Sequence, residues 1–493
     1  MNIIPLFVAL PLGAAFLIPL LRKRIHTFGD WSCNLITLAL TFLSGYSVAL
    51  VSGSGLVVYK VGGWAPPLGI CLVMDHLTVF MLVMVNLLAF LATLYSIRYL
   101  ERYTDPSKFY TLFLLMVAGM NGVIIAGDIF NLYVFLEIAA IASYSLVAFG
   151  TEREELEASF KYMVMGSIAS SFILLGIAFL YSCTSTLNLA DMSRVLAEKP
   201  PVRLLPLLSA LFITGFGLKA ALVPFHAWLP DAHPSAPAPV SAMLSGVLIK
   251  TLGVYAMVRI FFCVLGASGI FLSILMALGA VSMLVGVFLA IGQWDFKRLL
   301  AYHSISQIGY VALGIGLGTP LGILGGLFHL FNHSMFKSLL FLNAGAVDYA
   351  AGTRDLKKMG GLREKMPVTG ATSLIASLSI AGMPPFNGFW SKLIIILACV
   401  ERRHYGYAFC AVLASAMTLG SFLKVQKHAF FGELKESLRN IREVPFTMKV
   451  PMIVLAIVCL GGGLLLLSDF PSRVVEVVSR GREYANAVLG SVR

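Results

Sequence analysis

Apolar residues run along this chain in blocks of about 18 to 30 positions, interrupted by glycine, proline or charge and showing no polar face. A hydrocarbon core roughly 30 Å thick takes about 20 helical residues to cross, so each block predicts a membrane-spanning helix. Fourteen are predicted, at 2–21, 31–51, 72–97, 109–126, 130–149, 161–182, 205–223, 240–263, 268–291, 299–317, 321–347, 370–399, 406–430 and 450–468. Strands are excluded as spanning elements, because a barrel would alternate apolar and polar positions over segments of about 10 residues. Inside a bilayer no water satisfies the backbone, and helices remain. The expected fold class is an all-α polytopic membrane protein.

Composition agrees. The chain of 493 residues is 58% hydrophobic and only 12% charged, against roughly 25% charged residues in globular domains, and its mean hydropathy is +0.88. A soluble enzyme, a disordered chain, a collagen and a disulfide scaffold are all excluded as classes. The net charge of +12 raises the question of nucleic acid, but the basic residues are scattered through short connectors and make no footprint for it. The seven cysteines, at 33, 71, 183, 263, 399, 410 and 459, have no short spacing through which thiolates share a metal. They read as small apolar residues, and no metal or cofactor is expected.

The first apolar run has no positive charge before it and Arg22, Lys23 and Arg24 after it. That is the reverse of a signal peptide, so a retained first helix is expected. Connectors after odd-numbered spans carry 19 Lys and Arg, against 10 on the opposite side with both termini. The positive-inside rule then puts both termini on the extracytoplasmic side, although the 150–161 connector is acidic through Glu152, Glu154, Glu155 and Glu157.

The remaining basic residues lie inside the spans. Lys424 and Lys427 sit near the end of the thirteenth and can reach the interface, and Arg259 is close enough to the end of its own to snorkel. Lys219, Lys250 and Lys337 fall near mid-depth, Lys392 lies in the twelfth span, and Glu137 is the matching carboxylate in the fifth. A central charge costs about 2.5–3.5 kcal/mol on insertion scales. Any one of these residues is explicable as an ion pair that fixes packing, but the set calls for a shared use. A proton relay is that use: burial favours a neutral lysine, a carboxylate partner favours the ammonium, and making and breaking the pair switches one to the other. Glu137 and Lys219 are the candidate pair. His303 in the tenth span, and His329, His333 and Lys337 at steps of four in the eleventh, supply further carriers along one helical stripe. The His-x-x-x-His spacing also suits a metal, but the intervening Glu of the zinc-protease pattern is missing, and a polar seam facing the protein interior is the preferred reading.

Two spans are interrupted in the manner that lets backbone groups line a cavity. The seventh holds Gly215, Gly217, Lys219, Pro224, Phe225, Trp228 and Pro230; the twelfth holds Gly382, Pro384, Pro385, Phe386, Trp390 and Lys392. They stand five spans apart, as expected if spans 4–8 and 9–13 are inverted repeats. The predicted organisation is an N-terminal segment at 1–108, repeats at 109–263 and 268–431, and a last helix and tail at 450–493. Nucleotide and hydrolase signatures are absent: Gly246-Val-Leu-Ile-Lys250-Thr251 lacks the Gly-Lys of a phosphate loop, and GxGxxG with a following acid, GxSxG and HExxH do not occur. Energy is expected to come from an ion gradient or another subunit.

The stretch from Gly127 to Glu137, the Lys219 to Pro234 segment with its Pro-Phe-His-Ala-Trp-Leu-Pro-Asp-Ala run, Lys250, and Met383 to Lys392 together resemble the antiporter-like family. That family comprises the proton-translocating membrane subunits of complex I, the large subunits of Mrp-type sodium/proton antiporters, and their counterparts in membrane-bound hydrogenases. The chain looks most like the D-type members of the Mrp antiporters or their hydrogenase counterparts. The resemblance implies fourteen helices in two inverted five-helix repeats with helices 7 and 12 broken. It also implies Glu137 paired with Lys219, Lys250 as central carrier, Lys392 near a second half-channel, and His303, His329, His333 and Lys337 between them. Asp128 reads instead as a helix cap. The tail of about 25 residues after the last span is too short for the lateral helix of the largest complex I member.

The function expected is therefore a proton-translocating, multi-pass subunit of a multisubunit cation/proton antiporter or Mrp-related hydrogenase in the cell membrane. Its expected partners are protons, Na+, other membrane subunits and lipid. The alternatives are a proton-pumping subunit of a complex I type quinone reductase, a structural or quinone-contacting subunit, and a self-sufficient solute transporter.

Overall fold

The computed structural model describes residues 3–22, 24–25, 27–103 and 105–491, with the Arg482 side chain excepted; Lys23 of the first predicted connector lies outside the described residues. The chain is helical almost throughout. Helices α1 (Leu6–Leu21) and α2 (Phe28–Ser54) are followed by an antiparallel hairpin of β1 (Val57–Lys60) and β2 (Cys71–Met74), with Val57 opposite Met74. The third span was expected from residue 72, but β2 occupies 71–74, and α3 (His76–Tyr99) starts only after Asp75, whose carboxylate caps the Thr78 amide. Next come α4 (Pro106–Ile125), α5 (Ile129–Val147) and α6 (Arg153–Thr184). The sixth span begins eight residues earlier than expected, because Glu152 and Glu155 form a reciprocal capping box. An amphipathic helix that the apolar blocks did not predict, α7 (Leu189–Glu198), follows.

The seventh span divides into α8 (Leu205–Ala220) and α9 (Leu229–Ser235), and α10 (Ala238–Val264) returns through the interior. Helix α10 is enclosed by α3, α4, α8 and α13 and contains wide π turns at 244–248, 250–255 and 259–264. Helices α11 (Gly269–Ile291), α12 (Phe296–Gly316) and α13 (Pro320–Ala351) follow. The twelfth span divides into α14 (Pro367–Ala381) and α15 (Asn387–Glu401), before α16 (Tyr405–Phe430), α17 (Phe446–Leu467) and the short α18 (Phe470–Ser479) and α19 (Tyr484–Gly490). Among the described residues, nine helices are long and apolar enough to cross a membrane. Helices α12 and α13 fall outside that set, and they carry His303, Gln307, His329, Asn332, His333 and Lys337.

Small residues let these helices pack without a hydrophobic drive between them. Between α11 and α12, a Cβ on Gly286 would lie 2.5 Å from the Ser306 amide nitrogen, and one on Gly309 would lie 2.5 Å from the Gly279 carbonyl oxygen. Helix α13 is the centre of the second half, touching α10, α12, α14, α15, α17 and α18.

Candidate functional site

Both breaks end a half-helix in the same way. Helix α8 stops at Ala221 (φ +56°), with the Leu222 amide donating to the Gly217 carbonyl at 3.0 Å; α14 stops at Gly382 (φ +80°), with the Met383 amide donating to Leu378 at 3.0 Å. These are left-handed caps that close the last turn and free the next residues to leave the helical path. Pro224 lies within the first break, and Pro384 and Pro385 within the second, whereas Pro230 is in the first turn of α9, where a missing amide costs nothing.

Lys219 occupies the last turn of α8, at the negative end of that half-helix. Its ammonium lies 3.5 Å from Glu137 Oε1 and 3.5 Å from the Tyr144 hydroxyl, and Ser170 donates to the same carboxylate oxygen. The pair is lopsided: the Lys219 side chain is 4% exposed and that of Glu137 26%. Tyr144 reaches this point because α6 has Gly166 beside it; a Cβ there would collide with the phenol oxygen. Asp128 accepts from the Asn131 amide at 2.8 Å, as a cap of α5.

From this pair a run of rings crosses toward the centre. Tyr144 meets Tyr162 at 4.5 Å, Tyr162 stacks on Trp228 at 4.2 Å, and Trp228 is 5.9 Å from His233, which is 6.0 Å from Phe341. The Lys337 ammonium stands 5.7 Å from the Phe341 ring centroid. Lys250 is fully buried and donates to the carbonyls of Ser245 (2.5 Å) and Gly246 (2.6 Å), which the wide turn of α10 leaves available. Lys337 Nζ and both ring nitrogens of His333 and of His233 have no hydrogen-bond partner among the described residues.

Beyond His333, the His329 ring lies 6.3 Å away and is held by Ser391 (2.9 Å) and Gln307 (3.1 Å). Tyr310 is 5.2 Å from His329, and the Lys392 ammonium sits 4.8 Å over the Tyr310 ring. Lys392 donates to the Ile380 carbonyl at 2.7 Å and to Ser415 at 3.2 Å. His303 stands to the side, with Nε2 2.8 Å from Ser421 Oγ. The Glu137–Lys219 pair is thus linked by ring contacts to Lys337, and His333 through His329 and Tyr310 to Lys392, while Lys250 and His303 are buried on α10 and α12.

Sequence reasoning missed several members. His233 and Trp228 stood in the Pro-Phe-His-Ala-Trp-Leu-Pro-Asp-Ala stretch and its next residue, but Tyr144, Tyr162, Ser170 and Gln307 read as ordinary span residues. Two expectations fail. Arg259 does not snorkel: it is 4% exposed and donates to Asp75 at 2.5 Å and to Thr78 at 2.9 Å, because the α3 cap carboxylate supplies a buried partner. Lys297, counted as a connector charge, is 2% exposed and donates to the Ala236 carbonyl at 2.8 Å, closing the end of α9.

With this geometry in place, the comparisons with known proteins are direct. The family described as NADH:quinone oxidoreductase/Mrp antiporter, TM, matches residues 126–418, and one described as NADH-Ubiquinone oxidoreductase (complex I), chain 5 N-terminus, matches residues 64–110. The chain is 32% identical over 490 residues, 99% of each chain, to the D subunit of the Na(+)/H(+) antiporter of Alkalihalophilus pseudofirmus. It is 38% identical to the N subunit of the NADH-quinone oxidoreductase of Desulforudis audaxviator, over 97% of this chain and 96% of that one. Among solved structures it is similar to a chain of the Mrp complex from Dietzia sp. DQ12-45-1b (TM-score 0.92, 29% identity, 99% of both chains). It is also similar to a chain of an archaeal membrane-bound sulfane sulfur reductase (TM-score 0.90, 31% identity, 100% of both). This chain belongs to the family of NADH:quinone oxidoreductase and Mrp antiporter membrane subunits.

Proposed function

We propose that this chain is a proton-translocating subunit of a multisubunit cation/proton antiporter, or of an Mrp-related membrane-bound hydrogenase, with Na+ as the exchanged cation in the antiporter case. The observation that carries the reading is the axis itself: four lysines, a carboxylate and a histidine pair threaded through apolar helices from Glu137 to Lys392. Buried polar groups without partners each cost about 1–3 kcal/mol, which a merely structural subunit would have replaced with apolar packing. His233, His333 and Lys337 are such groups, and buried polar groups left without protein partners are the ones that ordered water satisfies. In this proposal water completes the steps between them.

The proton would pass between Glu137 and Lys219, across to Lys250 and Lys337, along His333 and His329, and out near Lys392, with His303 tuning the field from the side. Moving one charge against 100 mV takes about 2.3 kcal/mol, a size that opening and closing one partly desolvated ion pair can match. The parallel caps at Ala221 and Gly382 support two inverted five-helix repeats, 109–263 and 268–431, within fourteen spans, flanked by the 1–108 and 450–493 segments. The charge bias of the connectors supports extracytoplasmic termini in the cell membrane. A second reading, a proton-pumping subunit of a quinone-reductase complex, draws on the 38% identity to the quinone-oxidoreductase relative, and it uses the same axis.

The test is ion flux in proteoliposomes containing the purified complex. Glu137→Ala and Lys219→Ala should each abolish transport while leaving the complex assembled. Variants that conduct normally would overturn the relay, and variants that fail to assemble would favour a structural subunit.

A further inference from the structure

Behind the polar axis, on the face where α3 and α13 begin, two cavities of about 390 Å³ each lie on either side of α18. The first is an apolar groove lined by Phe80, Leu327, Phe331, Leu465, Val474 and Val475, among others. The second is a recess whose titratable lining residues include Asp75, His76, Arg473, Glu476, Arg480 and Glu483. They share a wall, where the His76 ring lies 6.2 Å from that of Phe470. We propose that groove and recess together bind one phospholipid of the surrounding bilayer, its acyl chain in the groove and a phosphate and primary-ammonium head in the recess.

Depth and chemistry both fit this occupant. Lining positions on α3 run from Phe80 to Val83 below His76, and on α13 from Leu324 to Phe331. At 1.5 Å per residue the groove lining therefore extends about 10 Å along α13 and about 5 Å along α3, within the roughly 15 Å of one leaflet's hydrocarbon. Leu464 (69% exposed) and Leu467 (85% exposed) stand outward beside it, an apolar rim that suits an opening onto acyl chains. Helix α18 divides the two environments, with Val474, Val475 and Val478 buried and Arg473, Glu476 and Arg480 outward. In the recess, Arg473 donates through one nitrogen to the Ser52 carbonyl at 3.2 Å and Arg480 through one to Glu476 at 2.9 Å, which leaves the rest of each fork for a phosphate, and Glu483 and the second oxygen of Glu476 for an ammonium. His76 is 7% exposed, and its Nε2 has no partner among the described residues. Asp75 is already committed to Arg259 through one oxygen. The mixed lining favours a zwitterionic aminophospholipid over an anionic one. Its chain would lie against Phe331, two residues before His333, and would wall that histidine seam off from the bilayer.

The test is photolabelling of the purified complex in nanodiscs with phosphatidylethanolamine carrying a diazirine in its acyl chain, with labelled peptides mapped by mass spectrometry. The proposal expects labelling of the Phe80 and Leu465–Val475 peptides that resists dilution with unlabelled phosphatidylcholine, whereas labelling at Phe409, which is 66% exposed outside the groove, falls in proportion. Leu465→Trp, at a half-exposed position that fills the groove, should abolish the resistant labelling. Arg473→Gln with Arg480→Gln should weaken it about tenfold. Labelling no more resistant than that at Phe409, equal resistance for a phosphatidylglycerol probe, or cross-links from the groove to a partner subunit in place of lipid would each overturn the proposal.

Discussion

Lys219 and Lys392 stand beside the two breaks, yet they are held differently. Lys219 closes the last turn of α8 and faces a carboxylate, Glu137, at 3.5 Å. Lys392 lies in the helix after its break and reaches back to the Ile380 carbonyl and to Ser415, and no salt bridge reaches it among the described residues. The first lysine therefore has a charged partner whose approach and departure can change its protonation, whereas the second has only neutral acceptors. In the proposed relay, one end would then act as a switch and the other as a holding site.

The sharpest way to break that comparison is to remove each charge in turn. Glu137→Gln, which keeps the size of the side chain, should stop flux as completely as Lys219→Ala, because the switch needs both members. Lys392→Arg should also lose most transport, since a guanidinium does not release its proton, but here no carboxylate substitution elsewhere in this chain should reproduce the loss. Membrane-potential-driven flux in proteoliposomes, normalised to assembled complex, reads both. A smaller effect is expected from Gly166→Ala. Its methyl group would displace the Tyr144 hydroxyl from Lys219, so flux should fall several-fold while the complex remains assembled; unchanged flux would detach Tyr144 from the switch.

The smallest effect lies outside the spans. Partial burial pushes the Asp105 carboxyl up, but the hydrogen bond from Arg22 at 2.8 Å and the nearby Lys108 ammonium outweigh it and hold the carboxyl below its ordinary value of 3.8. A carboxylate so lowered adds stability above its unfolded pKa and loses it as pH falls through the folded value, so the contribution vanishes only below about pH 4. Exposed pairs of this kind are worth about 0–1 kcal/mol. Asp105→Asn should accordingly lower the thermal midpoint slightly at pH 7, by a difference that shrinks as pH falls below about 4, with no change in flux.

The ends of the axis were legible in the sequence because a Lys or Glu within an apolar block is costly, and Glu137, Lys219, Lys250, Lys337 and Lys392 announce themselves by that cost. The breaks were legible because glycine and proline mark where a helix cannot continue. The bridge between Lys219 and the centre was not. Tyr144, Tyr162 and Trp228 count as apolar in any periodicity, and only their tertiary contacts place them in line. Arg259 and Lys297 went astray for a related reason: proximity to a span end suggested solvent, while their partners, the Asp75 carboxylate and the Ala236 carbonyl, come from elements distant in sequence. Helix α7 was passed over because an amphipathic helix of 10 residues leaves no apolar block.

Lys250 offers the most direct test, since the proposed path crosses it and, among the described residues, it is fully buried with hydrogen bonds to carbonyls of its own helix. Proton flux should be measured in proteoliposomes holding the complete complex with Lys250→Met, whose side chain fills a similar space without an ammonium. The account predicts an assembled complex with flux at background; an assembled complex that still moves protons at the wild-type rate would contradict it.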